Sequence, residues 1–221
     1  MNRLCVVLAH GGALETVLRH LPYWKRLHDR VIIASPSDDP INLTDEWCFV
    51  NGLSGRYDAK TNIRTRELML FASQMNTMTI TFCEYDAILW RWPKEATIMG
   101  PNAIMASKFI SDDRKFIGKF YLHSPIIFSN KSATETVEAM FRLPDDAERG
   151  FGDRYFGLAC ERARVDLIDG HKLGLSYSQN HIQQVHMPDA VDAIKAGACF
   201  THGIKDASTL AALAKAAGLS P

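Results

Sequence analysis

The stretch Thr77–Trp90, TMTITFCEYDAILW, decides how this chain is read. Thr alternates with apolar residues from Thr77 to Phe82, and β-branched and aromatic side chains favour a pleated, half-buried surface. The segment therefore predicts a buried β-strand that ends in two carboxylates, Glu84 and Asp86. On an extended backbone, residues two apart point to the same side, so both carboxylates would aim into one crevice at the carboxyl end of the strand. In open α/β sheets that end is where ligands bind. Paired hard oxygens there suit Mg²⁺ or Mn²⁺, and those ions suit a diphosphate. The plainer reading is that two nearby acids cap a helix or face solvent, so support has to come from elsewhere in the chain.

Working outward, Arg3 to Ala9 reads as a buried strand broken by His10-Gly11-Gly12. A helical pattern follows through Leu14, Val17, Leu18, Leu21 and Trp24, with Pro22 expected to end or bend it. Arg30 to Ser35 is a second buried strand, closed by Pro36, and a short strand is expected near Trp47 to Val50. A loop spans Asn51 to Gly55 and a helix Ala59 to Met75 before the carboxylate-bearing strand. This β-α-β-(β)-α-β order predicts a mostly parallel sheet with helices on both faces. In the second half, strands are expected at Ala96–Met99, Phe120–Phe128, Lys172–Ser176 and Ala198–Thr201. Helices are expected at Ala133–Leu143, Asp153–Val165 and Ser208–Gly218. With no repeat or linker, a single α/β domain over 1–221 is the simplest organisation.

The 221 residues include 25 Lys+Arg and 25 Asp+Glu, so no global basic field announces a nucleic-acid binder, although one face could still be basic. No run reaches the roughly 18 apolar residues of a membrane helix, and Leu4–Ala9 is too short for a signal-peptide core. The five cysteines are scattered without a C-x-x-C pair, which predicts reduced, buried thiols and a cytoplasmic protein. Cys83 is a poor nucleophile candidate, because the anion beside it raises a thiol pKa.

The second informative segment is Cys199–Lys205, CFTHGIK, where a short apolar strand delivers His202, a flexible Gly203 and Lys205. Imidazole is a good Mn²⁺ ligand, and a lysine neutralises phosphate oxygens as a point charge. A lone histidine after a strand is otherwise an ordinary polar surface residue. A third segment, Arg149–Tyr155 (RGFGDRY), places two glycines before Asp153. Its plain reading is a turn and helix cap.

Glu84-Tyr85-Asp86 at mid-chain together with Thr201-His-Gly-Ile-Lys205 resembles the GT-A-fold glycosyltransferases. The resemblance implies a GT-A-like fold, with a Rossmann-like nucleotide-binding half over 1–90 and an acceptor-side half over 91–221. It implies metal-dependent transfer of a sugar from a nucleoside diphosphate sugar, UDP favoured, to an acceptor hydroxyl, with inversion. By that resemblance Asp86 and His202 ligate Mn²⁺ or Mg²⁺, Lys205 sits on the phosphates, and Glu84 contacts ribose, water or metal. The loops holding Ala9, His10 and Gly11, and Ser35, Pro36 and Ser37, match places where such enzymes hold the nucleoside. Arg64 reaches the base or phosphates, or belongs to a solvated helix face. Asp153 is the expected general base, with Glu148, Asp145, Asp146 and Glu161 as alternatives; a retaining enzyme would not need it.

The acceptor is open among a saccharide, a protein side chain, a small molecule and a hydroxylated nucleic-acid base. Two other functions compete. A nucleotidyltransferase acting on a sugar phosphate shares the sheet but usually carries a cationic loop after the first strand, and here the loop His10-Gly11-Gly12 has no Lys or Arg near it before Arg19. A non-catalytic nucleotide- or sugar-binding module is the other. His181 and His186 are expected on the surface, and Trp90 and Trp92 either pack the core or form a platform for a sugar or base.

Overall fold

Strand β1 (Arg3–Leu8) is an almost unbroken apolar run, and that is the signature of a strand covered on both faces. In the computed structural model, which describes residues 2–9, 13–35, 47–49, 59–110, 120–144, 152–170 and 187–219, β1 lies inside a sheet with alternate side chains entering two separate cores. Leu4, Val6 and Leu8 face one core, and Cys5, Val7 and Ala9 face the other.

Helix α1 (Leu14–Leu27) covers the second face with Val17 and Trp24, while Leu18 stays 40% exposed. Its inner stripe runs Val17, His20, Leu21 and Trp24, so a histidine takes a place that the apolar pattern had given to Leu18. Pro22 lies inside α1 and neither ends it nor interrupts its inner face, because the proline is exposed and the carbonyl it cannot satisfy is on the solvent side.

The remaining parallel strands are β2 (Arg30–Ser35), β3 (Trp47–Phe49) and β4 (Thr79–Glu84). Helix α2 (Ala59–Ser73) precedes β4 and buries Leu68, Met69 and Ala72 against the first face. The registers Leu8↔Ala34 and Leu8↔Glu84 bring three carboxyl ends to one edge. Between β1 and β4 the connections run to opposite sides, which opens the crevice where α/β sheets bind ligands.

Beyond β4 the sheet is mixed. Strand β5 (Ala87–Leu89) leaves it, and then β6 (Ala103–Ile110) and β7 (Phe120–Ser129) pair antiparallel to one another. The seven strands run β3-β2-β1-β4-β7-β6-β8, with β7 antiparallel to β4, and β8 (Asp166–Asp169) parallel to β6. Helices α3 (Asn130–Met140) and α4 (Gly152–Ala163) join α2 on the first face. Ser129 caps α3 by accepting from the Ser132 amide at 3.0 Å. A third core gathers β5, α5 (Met187–Lys195) and α6 (Ala207–Ala216) around Ile88, Trp90, Ile194 and Leu213.

Several sequence expectations change here. Strand β4 ends at Glu84, and Tyr85-Asp86 forms a turn before β5. The segment expected as a strand at Ala96–Met99 holds a 3-10 turn, Glu95–Thr97, because Pro93 and Lys94 start a local chain reversal closed by the amides of Ala96 and Thr97. Strands β6 and β8 and helix α5 were not anticipated. Ala, Ser, Met and Lys give β6 little strand propensity, and only its partners β7 and β8 select the extended form. The strand expected at Lys172–Ser176 and the loop at Asn51–Gly55 lie outside the described residues, as do His181 and His186. Among the described residues no helix is long and apolar enough to cross a membrane.

Candidate metal centre

The site is assembled by a small second sheet. Strand β9 (Phe200–His202) pairs antiparallel with β5, matching Ala87 with His202 and Leu89 with Phe200. Past β9 the backbone turns at Gly203, whose φ of 89° is a left-handed conformation that a side chain would strain. That turn lets the amides of Gly203 and Ile204 both donate to the Asp86 carbonyl, at 3.0 and 2.9 Å. On the other side, the Trp24 indole N–H donates to the Ala87 carbonyl at 2.9 Å. Trp90 is buried and its N–H donates to Thr201 Oγ1 at 2.9 Å, so it packs and anchors β9.

These contacts bring the two motifs together. His202 Nε2 lies 2.8 Å from Glu84 Oε2 and 3.1 Å from Asp86 Oδ1. One ligand atom from each of Glu84, Asp86 and His202 falls within 4.8 Å of the others. Burial lowers the tendency of His202 to hold a proton, but Asp86 and then Glu84 outweigh it and raise its pKa well above the usual value. Two carboxylates and one imidazole fit Mn²⁺ or Mg²⁺, the imidazole favouring Mn²⁺. The convergence does not come from an extended backbone. Asp86 reaches Glu84's side because the Tyr85-Asp86 turn and the β5–β9 pairing carry it there.

Asp153 stands beside this group, in the first turn of α4. Its Oδ2 is 3.1 Å from Nδ1 of the buried His123, and the His123 ring centroid is 6.3 Å from that of His202. Burial pushes the Asp153 pKa up, but His123 and, more weakly, His202 hold it below the usual carboxylate value. The low pKa of Asp153 therefore traces to a histidine partner. Asp153 is one residue inside the helix that Gly152 begins.

The other candidate residues divide. Ala9 follows β1 at the same edge, its amide donating to the Ala34 carbonyl at 2.9 Å, and Ser35 ends β2 there. Lys205 follows the Gly203 turn, and its carbonyl accepts from Thr16 Oγ1 in the first turn of α1. His10, Gly11, Pro36, Ser37, Glu148, Asp145 and Asp146 lie outside the described residues. Arg64 pairs with Glu67 one turn along α2 at 3.6 Å, the contact of the helix-face alternative.

Three residues near the site were missed from sequence: His20, His123 and Ser124. Ser124 Oγ accepts from the Glu84 amide at 2.7 Å and so holds the end of β4. His20 is buried on α1; burial brings its pKa down to about 4, opposed by the Thr16 carbonyl and by the charge of Asp86. The available signal was a titratable residue in an apolar stripe, as in YLHSPIIF for His123. Compared with known proteins, the chain matches no family model and no curated sequence.

Proposed function

We propose that this protein is a metal-dependent GT-A-type glycosyltransferase that moves a sugar from a nucleoside diphosphate sugar, uridine-based, to an acceptor hydroxyl with inversion. The observation that carries the reading is the convergence of Glu84, Asp86 and His202 at the carboxyl edge of β4, beside the ionised Asp153. The parallel half β3-β2-β1-β4, continuing into a mixed half, supports the GT-A assignment.

Glu84, Asp86 and His202 would hold the ion, which when bound supplies positive charge against the diphosphate. Lys205 adds a point charge toward the same phosphates. Asp153 accepts the proton of the acceptor hydroxyl while the oxygen bonds the anomeric carbon. The anomeric carbon's bond to the diphosphate oxygen breaks as this happens, and its electron pair leaves with the diphosphate. The loops after β1 and β2 receive the nucleoside, and residues 91–221 receive the acceptor. The buried thiols Cys5, Cys83 and Cys160 fit the reduced state expected of a cytoplasmic protein.

The test is thermal stabilisation across a panel of nucleoside diphosphates and their sugars, with and without Mn²⁺. A ligand that binds only the folded state raises its melting temperature by mass action. A metal-dependent shift with uridine diphosphate is expected. No shift with any nucleoside diphosphate in the presence of Mn²⁺ would overturn the reading.

A further inference from the structure

His123 is a buried imidazole with no place in the apolar logic of its strand. It lies in β7 between Leu122 and Ser124, and all three are almost fully buried. An apolar side chain there would avoid the cost of dehydrating two ring nitrogens. The position is also singular within the fold. Ser124, the next residue, holds the end of β4 through the Glu84 amide, so β7 runs directly past the carboxylate edge. His123 Nδ1 sits 3.1 Å from Asp153 Oδ2, and its ring lies 6.3 Å from that of His202. The imidazole therefore stands between the three converging ligands and helix α4.

We propose that His123 is the positioning residue for Asp153, holding one carboxylate oxygen so that the other accepts the proton of the acceptor hydroxyl. This rests on the glycosyltransferase reading. A carboxylate in the first turn of a helix has several rotamers available, and 27% of the Asp153 side chain is exposed. Fixing Oδ2 against a strand-borne ring removes that freedom and leaves Oδ1 as the reacting atom. In the transfer step the acceptor O–H bond breaks, with its proton passing to Asp153 Oδ1. The new carbon–oxygen bond forms as the anomeric carbon releases the diphosphate with the electron pair. His123 stays bound to Oδ2 throughout and gains no atom from the substrate.

The test is a double-mutant cycle, His123→Leu against Asp153→Asn, with two readouts: transfer rate, and calorimetric binding of uridine diphosphate with Mn²⁺. His123→Leu is expected to slow transfer roughly 10- to 100-fold, the scale of losses at outer-shell groups that orient metal ligands, with nucleotide affinity unchanged. In the Asp153→Asn background the same change is expected to cost nothing further, because the residue it positions has already lost its basicity. Additive losses, or a parallel loss of nucleotide binding, would mean a structural role and overturn the proposal. If His123→Leu does not fold, Asn and Gln decide the matter, since an Asn amide sits where Nδ1 sits and a Gln amide where Nε2 sits. His123→Asn is expected to outperform His123→Gln, and the reverse order overturns the proposal. A wild-type protein inactive toward every nucleotide sugar overturns the glycosyltransferase reading together with this inference. An active wild type with a full-rate His123→Leu variant overturns this inference alone.

Discussion

Replacing His28 by Asn removes a titration that the fold makes costly. His28 is 6% exposed; its Nδ1 lies 2.8 Å from the Trp24 carbonyl and its Nε2 2.9 Å from Thr81 Oγ1. A carbonyl only accepts, so Nδ1 carries the hydrogen and Nε2 accepts from the Thr81 hydroxyl. A second proton would land on Nε2, so the Thr81 hydroxyl would have to turn round and accept, and the charge would be buried. Burial accordingly brings the His28 pKa from 6.5 down to about 4, with the Trp24 carbonyl acting weakly the other way.

The folded-state pKa is depressed, so the unfolded chain binds more protons between the two values. Stability is complete above about pH 6.5 and is lost as pH falls toward 4. At pH 5 the two pKa values correspond to a loss of about 2 kcal/mol relative to pH 7.5. His202 titrates in the opposite sense, and His20 in the same sense, but both are common to wild type and variant. The quantity to measure is therefore the difference between the two proteins, from urea unfolding followed by circular dichroism at each pH. An Asn amide can still donate to the Trp24 carbonyl, which keeps the variant folded for the comparison. The expected result is that about 2 kcal/mol of the wild-type difference between pH 7.5 and pH 5 disappears in His28→Asn. Identical pH dependence in the two proteins would refute the reasoning.

Other outcomes follow from the same contacts. Asp86→Asn is expected to weaken Mn²⁺ by at least about 10²-fold, the upper end for losses one shell further out, and a metal-induced melting shift equal to wild type would remove Asp86 from the ligand set. Asp153→Asn is expected to slow transfer by about 10²-fold or more while nucleotide binding holds, the usual scale for a lost general base; near-normal turnover would point to Glu148 or to a retaining mechanism. Asp206 caps α6, accepting from the Ser208 hydroxyl at 2.6 Å and from the Thr209 amide at 2.8 Å, and these bonds bring its pKa down to about 2. Asp206→Ala is expected to cost about 1 kcal/mol at neutral pH, read as a lower urea midpoint. The deficit should close in acid as the wild-type carboxylate protonates, because a depressed acid stabilises only above its folded pKa.

How far the chain can be read without its fold depends on the range of the interaction involved. Strand β2 was legible to the residue, and β1, α1, α2, β7 and α6 to within a few residues at their ends, because local periodicity and apolar runs record burial directly. The carboxylates Glu84 and Asp86 and the late His202 were legible as chemistry, since residue type and strand context mark them. Strands β6 and β8 were not legible, as their extended form depends on partners placed only by the assembled sheet. The same limit governs the site. Sequence supplied the E-x-D spacing, but the joint presence of Glu84, Asp86 and His202 in one small volume depends on a turn and on a strand more than a hundred residues away. His123 and His20 were invisible for the complementary reason. Periodicity marks which positions face inward, but only tertiary packing sets His123 against Asp153 and holds buried His20 in its neutral form, and those surroundings are what make burial of each imidazole tolerable.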